Sequence, residues 1–337
     1  MGTATLALGI AAWYAFNIGY NVHNKMLSTA FAFPMTNALS SLGVGCLVFL
    51  PLWVLRIRRA PGLSKEDVKK CTVLAMLHTT GHVGAVVAMS AGAVSFVHII
   101  KALEPLFSVV FGFLIDGKCD AFGVNLWLVP IICGVGWAAV GSKVAAGDHP
   151  FADMNMVALG GAMISNVAFA LRAILSKKFR AETNATNLTS ANLYSVITLL
   201  SFILFAPFAL VLEGSQLAAA WPPVANVPTT IPAAILGVST FATDQLGFLL
   251  EMTLWTGFHF YIYNECAFLV LGEVSATAQA VANTVKRVVI LLATVMFLGE
   301  KMDEHKAAGA AVAILATLAY SVAKSKSQAA IAAKKDQ

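Results

Sequence analysis

Apolar residues run along this chain in long, unbroken blocks separated by short polar clusters. They do not alternate with polar residues, as a half-buried strand would, so the blocks predict helices. About 20 mostly apolar residues are needed to cross a bilayer. On that rule the pattern predicts ten spans: Thr5–Leu27, Thr36–Arg56, Val68–Ser90, Ala93–Ile115, Phe122–Lys143, Met154–Lys177, Leu188–Leu212, Phe241–Gly272, Val274–Leu298 and Glu304–Ala323. Ala91–Gly92 reads as a tight turn between two spans. The Pro- and Ala-rich stretch from Glu213 to Ile231 reads as a loop. The eighth block is too long for one span. It is expected to begin with a short helix before Asp244 or to be broken within.

Composition points the same way. Of 337 residues, 58% are hydrophobic and 12% charged, whereas soluble domains carry about 25% charged residues. One core cannot hide so much apolar surface, so lipid must be the solvent, and there the backbone must satisfy its own hydrogen bonds. The net charge of +5 comes with no basic stripe of interleaved aromatics, so nucleic acid is not an expected partner. The five cysteines form no CxxC pair and read as small buried apolar residues. No signal- or transit-like segment precedes the first block; either there is none or it has been removed.

Ten spans place both termini on one side. That side collects fourteen Lys and Arg residues, among them Arg56, Arg58, Arg59, Lys65, Lys69 and Lys70. The other side holds four: Lys25, Lys143, Lys301 and Lys306. The positive-inside rule therefore puts both termini on the cytoplasm-like side. The fourth block ends Phe113-Leu114-Ile115-Asp116-Gly117-Lys118 and the ninth Met296-Phe297-Leu298-Gly299-Glu300-Lys301, each with one more span to follow. The chain thus divides into five plus five: residues 1–148, residues 149–326, and a polar tail at 327–337. An odd number of spans per unit inverts the second copy, a plan common among transporters.

Four cations fall inside spans: Lys101, Arg172, Lys286 and Arg287. Arg172, close to Lys177 and Lys178, is expected near the interface with its head snorkelling to water. The other three lie deep, each at a cost of about 2.5–3.5 kcal/mol on insertion scales. Ion pairing with Glu104, Asp244, Glu251, Glu265 or Glu273 is one way to offset that. But Lys286 and Arg287 are adjacent and point about 100° apart on a helix, so one acid would struggle to serve both. A cavity holding a multivalent anion serves all three. A phosphate ester carries about −1.5 to −2 charges and three strong acceptor oxygens. Arg can meet it with two parallel hydrogen bonds and Lys with a point charge. His82, His98, Tyr261, Tyr263, Asn264, Asn283 and Thr284 also fall inside spans and could line such a cavity, with Tyr263 the leading ligand candidate. No HExxH, GxSxG or GxxxxGK[ST] motif is present, so no enzyme, metal or cofactor is expected.

Several stretches are similar to one known family. They are Asn21 with Asn24-Lys25, and Gly81-His82-Val83 followed by Ala93-Val94-Ser95-Phe96-Val97-His98-Ile99-Ile100-Lys101-Ala102-Leu103-Glu104-Pro105. Further on come Gly161-Ala162-Met163-Ile164-Ser165-Asn166 leading to Ser176-Lys177-Lys178, then Tyr263-Asn264, then Asn283-Thr284-Val285-Lys286-Arg287-Val288. Nearly the whole chain resembles the plastidic phosphate translocators of the drug/metabolite transporter superfamily. The resemblance implies an all-α membrane protein of ten transmembrane helices as two inverted five-helix repeats. It implies an antiporter of the plastid inner envelope, termini on the stromal side, exchanging inorganic phosphate for phosphorylated three-, five- or six-carbon metabolites. It assigns Lys101, Lys286 and Arg287 to the phosphate, and His82 and Tyr263 to the rest of the substrate. Lys101-Ala102-Leu103-Glu104-Pro105 looks like the triose-phosphate members, so triose phosphate and 3-phosphoglycerate are the expected cargo. Hexose-phosphate, phosphoenolpyruvate or nucleotide-sugar transport is the alternative. No cofactor and no obligatory protein partner is expected.

Overall fold

A computed structural model describes residues 3–117, 120–150, 154–220, 245–273 and 276–335. Among them all regular structure is helical, apart from one isolated bridge between Gly62 and Thr186. In chain order the helices are α1 (Thr3–Ala30), α2 (Pro34–Val54), α3 (Lys65–Ala91), α4 (Val94–Ile100), α5 (Glu104–Asp116), α6 (Phe122–Asn125), α7 (Leu128–Ala145), α8 (Met156–Glu182), α9 (Ser190–Ala219), α10 (Gln245–Glu273), α11 (Ala276–Leu298) and α12 (Glu304–Lys335). A single 3-10 turn, Lys101–Leu103, joins α4 to α5.

Among the described residues, seven segments are long and apolar enough to cross a membrane: α2, α3, α4 with α5, α6 with α7, α8, α9 and α12. Helices α1, α10 and α11 are comparable in length, with 28, 29 and 23 residues. They carry inward-facing polar residues such as Asn17, Asn21, Asn264, Asn283 and Lys286. Large apolar side chains such as Leu47, Phe122, Val211 and Met296 stand exposed around the bundle. Exposure on this scale suits contact with lipid chains, not water.

Most predicted spans match a helix to within a few residues. The fourth is broken, because Pro105 has no N–H for the Lys101 carbonyl one turn back; the Glu104 amide takes that carbonyl instead, tightening the turn. The fifth divides into α6 and α7. Helix α9 runs to Ala219, so the predicted loop starts later than Glu213. Residues 221–244, which hold the rest of that loop and the predicted start of the eighth span, lie outside the described residues. Within them, α10 is unbroken. Helix α12 continues to Lys335, through most of the expected tail.

The helix starts explain much of the polar placement. The first amides of a helix have no partner within it and attract anions. Ser64 and Asp67 cap α3 reciprocally, Asn155 caps α8 and Thr189 caps α9. Helices α2 and α4 lack a capping side chain of their own. Glu213 of α9 supplies α2, accepting from the Met35 and Thr36 amides at 2.9 and 2.7 Å. Glu300, just past α11, supplies α4, accepting from the Val94 and Ser95 amides at 2.7 and 2.9 Å. The α3–α4 turn is gripped further. Lys25 Nζ donates to the Met89 and Gly92 carbonyls at 2.9 and 2.8 Å, and Asn155 Nδ2 to the Ala91 carbonyl at 2.7 Å. Lys306 Nζ donates to Ser95 Oγ at 2.7 Å. The opposite, Lys- and Arg-rich end is held by ion pairs: Lys70–Glu182, Lys178–Asp116, Lys324–Asp120 and Arg58–Glu265.

The most extensive packing joins α3 to α8, α1 to α10 and α7 to α12. Two of these crossings bring backbone onto backbone, at Gly84 with Gly161 and at Gly134 with Gly309. A Cβ on Gly161 would stand 2.6 Å from the Gly84 carbonyl oxygen, and backbone cannot move aside as a side chain can. Its neighbour Gly160 faces open space. Overpacking of this kind costs about 1–3 kcal/mol. Gly161→Ala should therefore lower the melting temperature in detergent by several degrees. Gly160→Ala should leave it unchanged or raise it slightly, since Ala is the better helix former. Equal melting temperatures for the two variants would show that the contact is not tight.

Candidate functional site

The helix break at Pro105 sits at the centre of the bundle's polar chemistry. It presents Lys101 from a 3-10 turn, and such turns within a helix often mark functional positions. Lys101 Nζ donates to Ser165 Oγ of α8 at 2.8 Å and lies 4.7 Å from the centre of the Phe169 ring. Asn166, one residue on, donates to the Ile100 carbonyl at 2.9 Å and ties the broken segment to α8. From α11, Lys286 lies 4.8 Å from the Trp13 ring of α1. Arg287 Nη2 donates to Glu104 at 3.0 Å, in an ion pair between α11 and α5. Arg287 Nη1 is buried without a hydrogen-bond partner among the described residues.

One cavity of about 260 Å³ takes in the charged and aromatic groups of this set, Lys101, Glu104, Lys286, Arg287, Trp13 and Phe169. Lys101, Lys286 and Arg287 line it together with His82 and Tyr263, so the five site residues expected from sequence converge. His98, Asn264 and Asn283 line it as well. Tyr261 and Thr284 are not among its lining residues. Tyr261 lies on another face of α10, where its hydroxyl meets Ser195 Oγ of α9 at 2.9 Å. His82 is buried, with its Nε2 3.2 Å from the Ala38 carbonyl and its ring 4.0 Å from that of Phe260. Tyr263 packs on Tyr20 and Phe260.

Arg172 differs from expectation. It does not snorkel to the interface but lines the cavity. Its guanidinium lies 4.8 Å from the Phe169 ring centre and 5.7 Å from that of Phe268, and its Nη1 donates to His78 Nδ1 at 2.6 Å. The aromatic rings and the imidazole meet the cation inside the bundle, so it need not reach water. Its nearness to Lys177 and Lys178 along the sequence was misleading. Five residues are about 7.5 Å of helix, enough to separate rim from cavity. The one sequence cue was Phe169 one turn earlier on the same face.

The cavity is thus lined by four cations and one carboxylate, Glu104. Of the other acids considered, Glu265 pairs with Arg58 away from the cavity, and Glu251 is not a lining residue. Asp244 and the side chain of Glu273 lie outside the described residues. Cationic side chains thus outnumber the carboxylate on its described wall, and a cavity lined mostly by one sign of charge attracts ions of the other sign.

The sequence of this chain matches the Triose-phosphate Transporter family over residues 4–321. The chain belongs to that family. It is 36% identical over 326 residues to the xylulose 5-phosphate/phosphate translocator, chloroplastic, of Arabidopsis thaliana, covering 96% of this chain and 71% of that one. It is 33% identical to the glucose-6-phosphate/phosphate translocator 2, chloroplastic, of the same plant, covering 95% and 76%. It is 31% identical to the triose phosphate/phosphate translocator, non-green plastid, chloroplastic, of Brassica oleracea var. botrytis, covering 96% and 74%. The family consists of transporters, and this member carries the polar cavity of one inside an apolar helical bundle.

Glu104 is the only carboxylate among the described residues of the cavity wall, so its removal tests the charge imbalance directly. Glu104→Gln should lower the melting temperature in phosphate-free buffer by several degrees, at about 2–4 °C per kcal/mol lost. Added phosphate should narrow the gap to wild type, because an anion bound only by the folded state raises stability by about 2.7 kcal/mol at a hundredfold excess over Kd. A gap that phosphate leaves unchanged would count against an anion site beside Arg287.

Proposed function

We propose that this protein is an antiporter that exchanges inorganic phosphate for phosphorylated metabolites, chiefly triose phosphate and 3-phosphoglycerate, by alternating access around the cationic cavity. The observation that carries this reading is the cavity's charge: four cations facing one carboxylate, in a member of a phosphate-transporting family. In this reading Lys101, Lys286 and Arg287 hold the phosphate. The unpartnered Nη1 of Arg287 is a donor in reserve for a phosphate oxygen. His82, Tyr263 and Arg172 meet the other end of the substrate, and Arg172 gives that end an affinity for a carboxylate or a second phosphate.

Ten helices cross the membrane as two inverted repeats, residues 1–148 and 149–326. The packing supports this. Let α1, α2, α3, α4 with α5, and α6 with α7 exchange places with α8, α9, α10, α11 and α12. The α1–α10 contact then maps onto α8–α3, α2–α10 onto α9–α3, α2–α3 onto α9–α10, and α1–α11 onto α8–α5; every one of these pairs packs in the bundle. The α2–α9, α4–α11 and α7–α12 contacts map onto themselves. Pro51 of α2 and Pro207 of α9 stand at the same offset from their helix starts. The chloroplastic relatives and the Lys/Arg bias support a place in the plastid inner envelope with both termini on the stromal side.

Exchange follows from charge. When empty, the occluded state encloses three uncompensated cations; when loaded, a phosphate near −2 neutralises most of them. A difference of about 4 kcal/mol slows the empty transition roughly a thousandfold. Liposomes preloaded with labelled phosphate should lose it at background rate into substrate-free buffer and rapidly once unlabelled phosphate is added outside. Fast efflux into empty buffer would refute obligatory exchange. Lys101→Gln, Lys286→Gln and Arg287→Gln should each cut exchange by about 10- to 100-fold or more in folded protein, the equivalent of one charged hydrogen bond.

Five-carbon cargo is the second reading, favoured by the higher identity to the xylulose 5-phosphate relative than to the triose-phosphate one. Competition against phosphate uptake by 3-phosphoglycerate, xylulose 5-phosphate and glucose 6-phosphate separates the readings. The three-carbon assignment requires 3-phosphoglycerate to compete best.

A further inference from the structure

His78 is buried one turn before His82 on α3, and it is not itself a lining residue of the cavity. Its Nδ1 lies 2.6 Å from Arg172 Nη1. A guanidinium can only donate, so Nδ1 accepts, and a neutral ring must then carry its hydrogen on Nε2. That Nε2 is buried with no hydrogen-bond partner among the described residues. A buried donor without an acceptor is costly, and such groups call for an explanation. Turning the ring to relieve it would give up the bond to Arg172. Phe169, Tyr194, Phe260 and His82 surround the ring, with ring centres 5.7 to 6.3 Å away. Arg172 in turn lies over Phe169 and Phe268 and has no hydrogen bond to a carboxylate among the described residues. The other cavity arginine, Arg287, is held by Glu104.

We propose that His78 is a positioning residue: its Nδ1 lone pair aims the Arg172 guanidinium into the cavity and so sets affinity for the non-phosphate end of the cargo. The choice of a neutral acceptor is the point. A carboxylate at this position would neutralise Arg172 and compete with an anionic substrate end for it. An imidazole fixes the direction of the guanidinium and leaves its charge for the substrate. The proposal rests on the reading that Arg172 meets the substrate end remote from the phosphate.

The test uses full-length protein in liposomes preloaded with phosphate, with uptake of labelled 3-phosphoglycerate and of labelled phosphate measured side by side. His78→Ala removes the acceptor. It should raise KM for 3-phosphoglycerate about tenfold, leaving the saturated rate and phosphate–phosphate exchange within about twofold, the pattern of a lost binding contact. His78→Asn puts an amide oxygen where Nδ1 stood and should restore most of the affinity. His78→Gln puts its oxygen near the Nε2 position and should not. If His78→Ala does not fold, the Asn and Gln variants still give the comparison. Equal loss for both substrates, or no rescue by Asn, would reduce His78 to packing and overturn the proposal. Arg172→Gln is run alongside. If it raises KM for 3-phosphoglycerate and His78→Ala does not, only the proposal falls. If Arg172→Gln leaves that KM at the wild-type value, the reading of the cavity's far end falls and the proposal with it.

Discussion

Three unbalanced positive charges inside a helical bundle are the constraint from which the rest of this structure follows. Charges at mid-membrane cost about 2.5–3.5 kcal/mol each even on the mildest scale. The protein does not remove that cost by adding carboxylates. It places Glu104 beside Arg287 and leaves Lys101, Lys286 and Arg172 to a hydroxyl, to aromatic faces and to an imidazole. These neutral partners soften the desolvation without cancelling the charge. A fully paired cavity would be more stable and would have no use for an anion.

The same restraint governs the backbone. Pro105 breaks the fourth span where Lys101 must face the cavity, and the two carbonyls next in line are taken locally, by the Glu104 amide and by Asn166. Irregular backbone in a membrane is tolerated where it lines a cavity or is buried in protein, and this break does the first. Glycine pairs at the α3–α8 and α7–α12 crossings bring helix axes close elsewhere, so the bundle packs densely around an interior that stays open.

The spans were legible because lipid imposes a length and a composition on each of them. The deep cations were legible because they violate that composition. What could not be read is what depends on partners distant in sequence. Glu213 and Glu300 looked like loop acids; each caps a helix that begins about 180 to 210 residues earlier. Arg172 looked like a rim residue, since Phe268 and His78, two of the side chains that hold it inside, belong to other helices. Tyr263 stood out from Tyr261 as the ligand candidate and does line the cavity, but that Tyr261 is taken up by Ser195 shows only once α9 packs on α10. The stretch Lys101–Pro105 is local, and its Lys101 and Glu104 line the cavity, whereas cargo size depends on the whole cavity wall.

The two ends of the bundle are fastened by different chemistry. Around the α3–α4 turn the ties are hydrogen bonds between charged side chains and backbone groups or a hydroxyl: Glu300 accepts from amides, Lys25 donates to carbonyls and Lys306 donates to Ser95. At the Lys- and Arg-rich end they are partly exposed ion pairs, such as Lys70–Glu182 and Lys178–Asp116. Mobile ions weaken exposed pairs such as Lys70–Glu182 over a Debye length of about 8 Å at physiological ionic strength, and reach the half-buried hydrogen bonds of the other end less. Salt therefore acts unequally on the two ends of the bundle. In a carrier that alternates as proposed, rising ionic strength in the compartment facing the ion pairs loosens that end first, so the electrolyte of one compartment biases which way the empty protein faces.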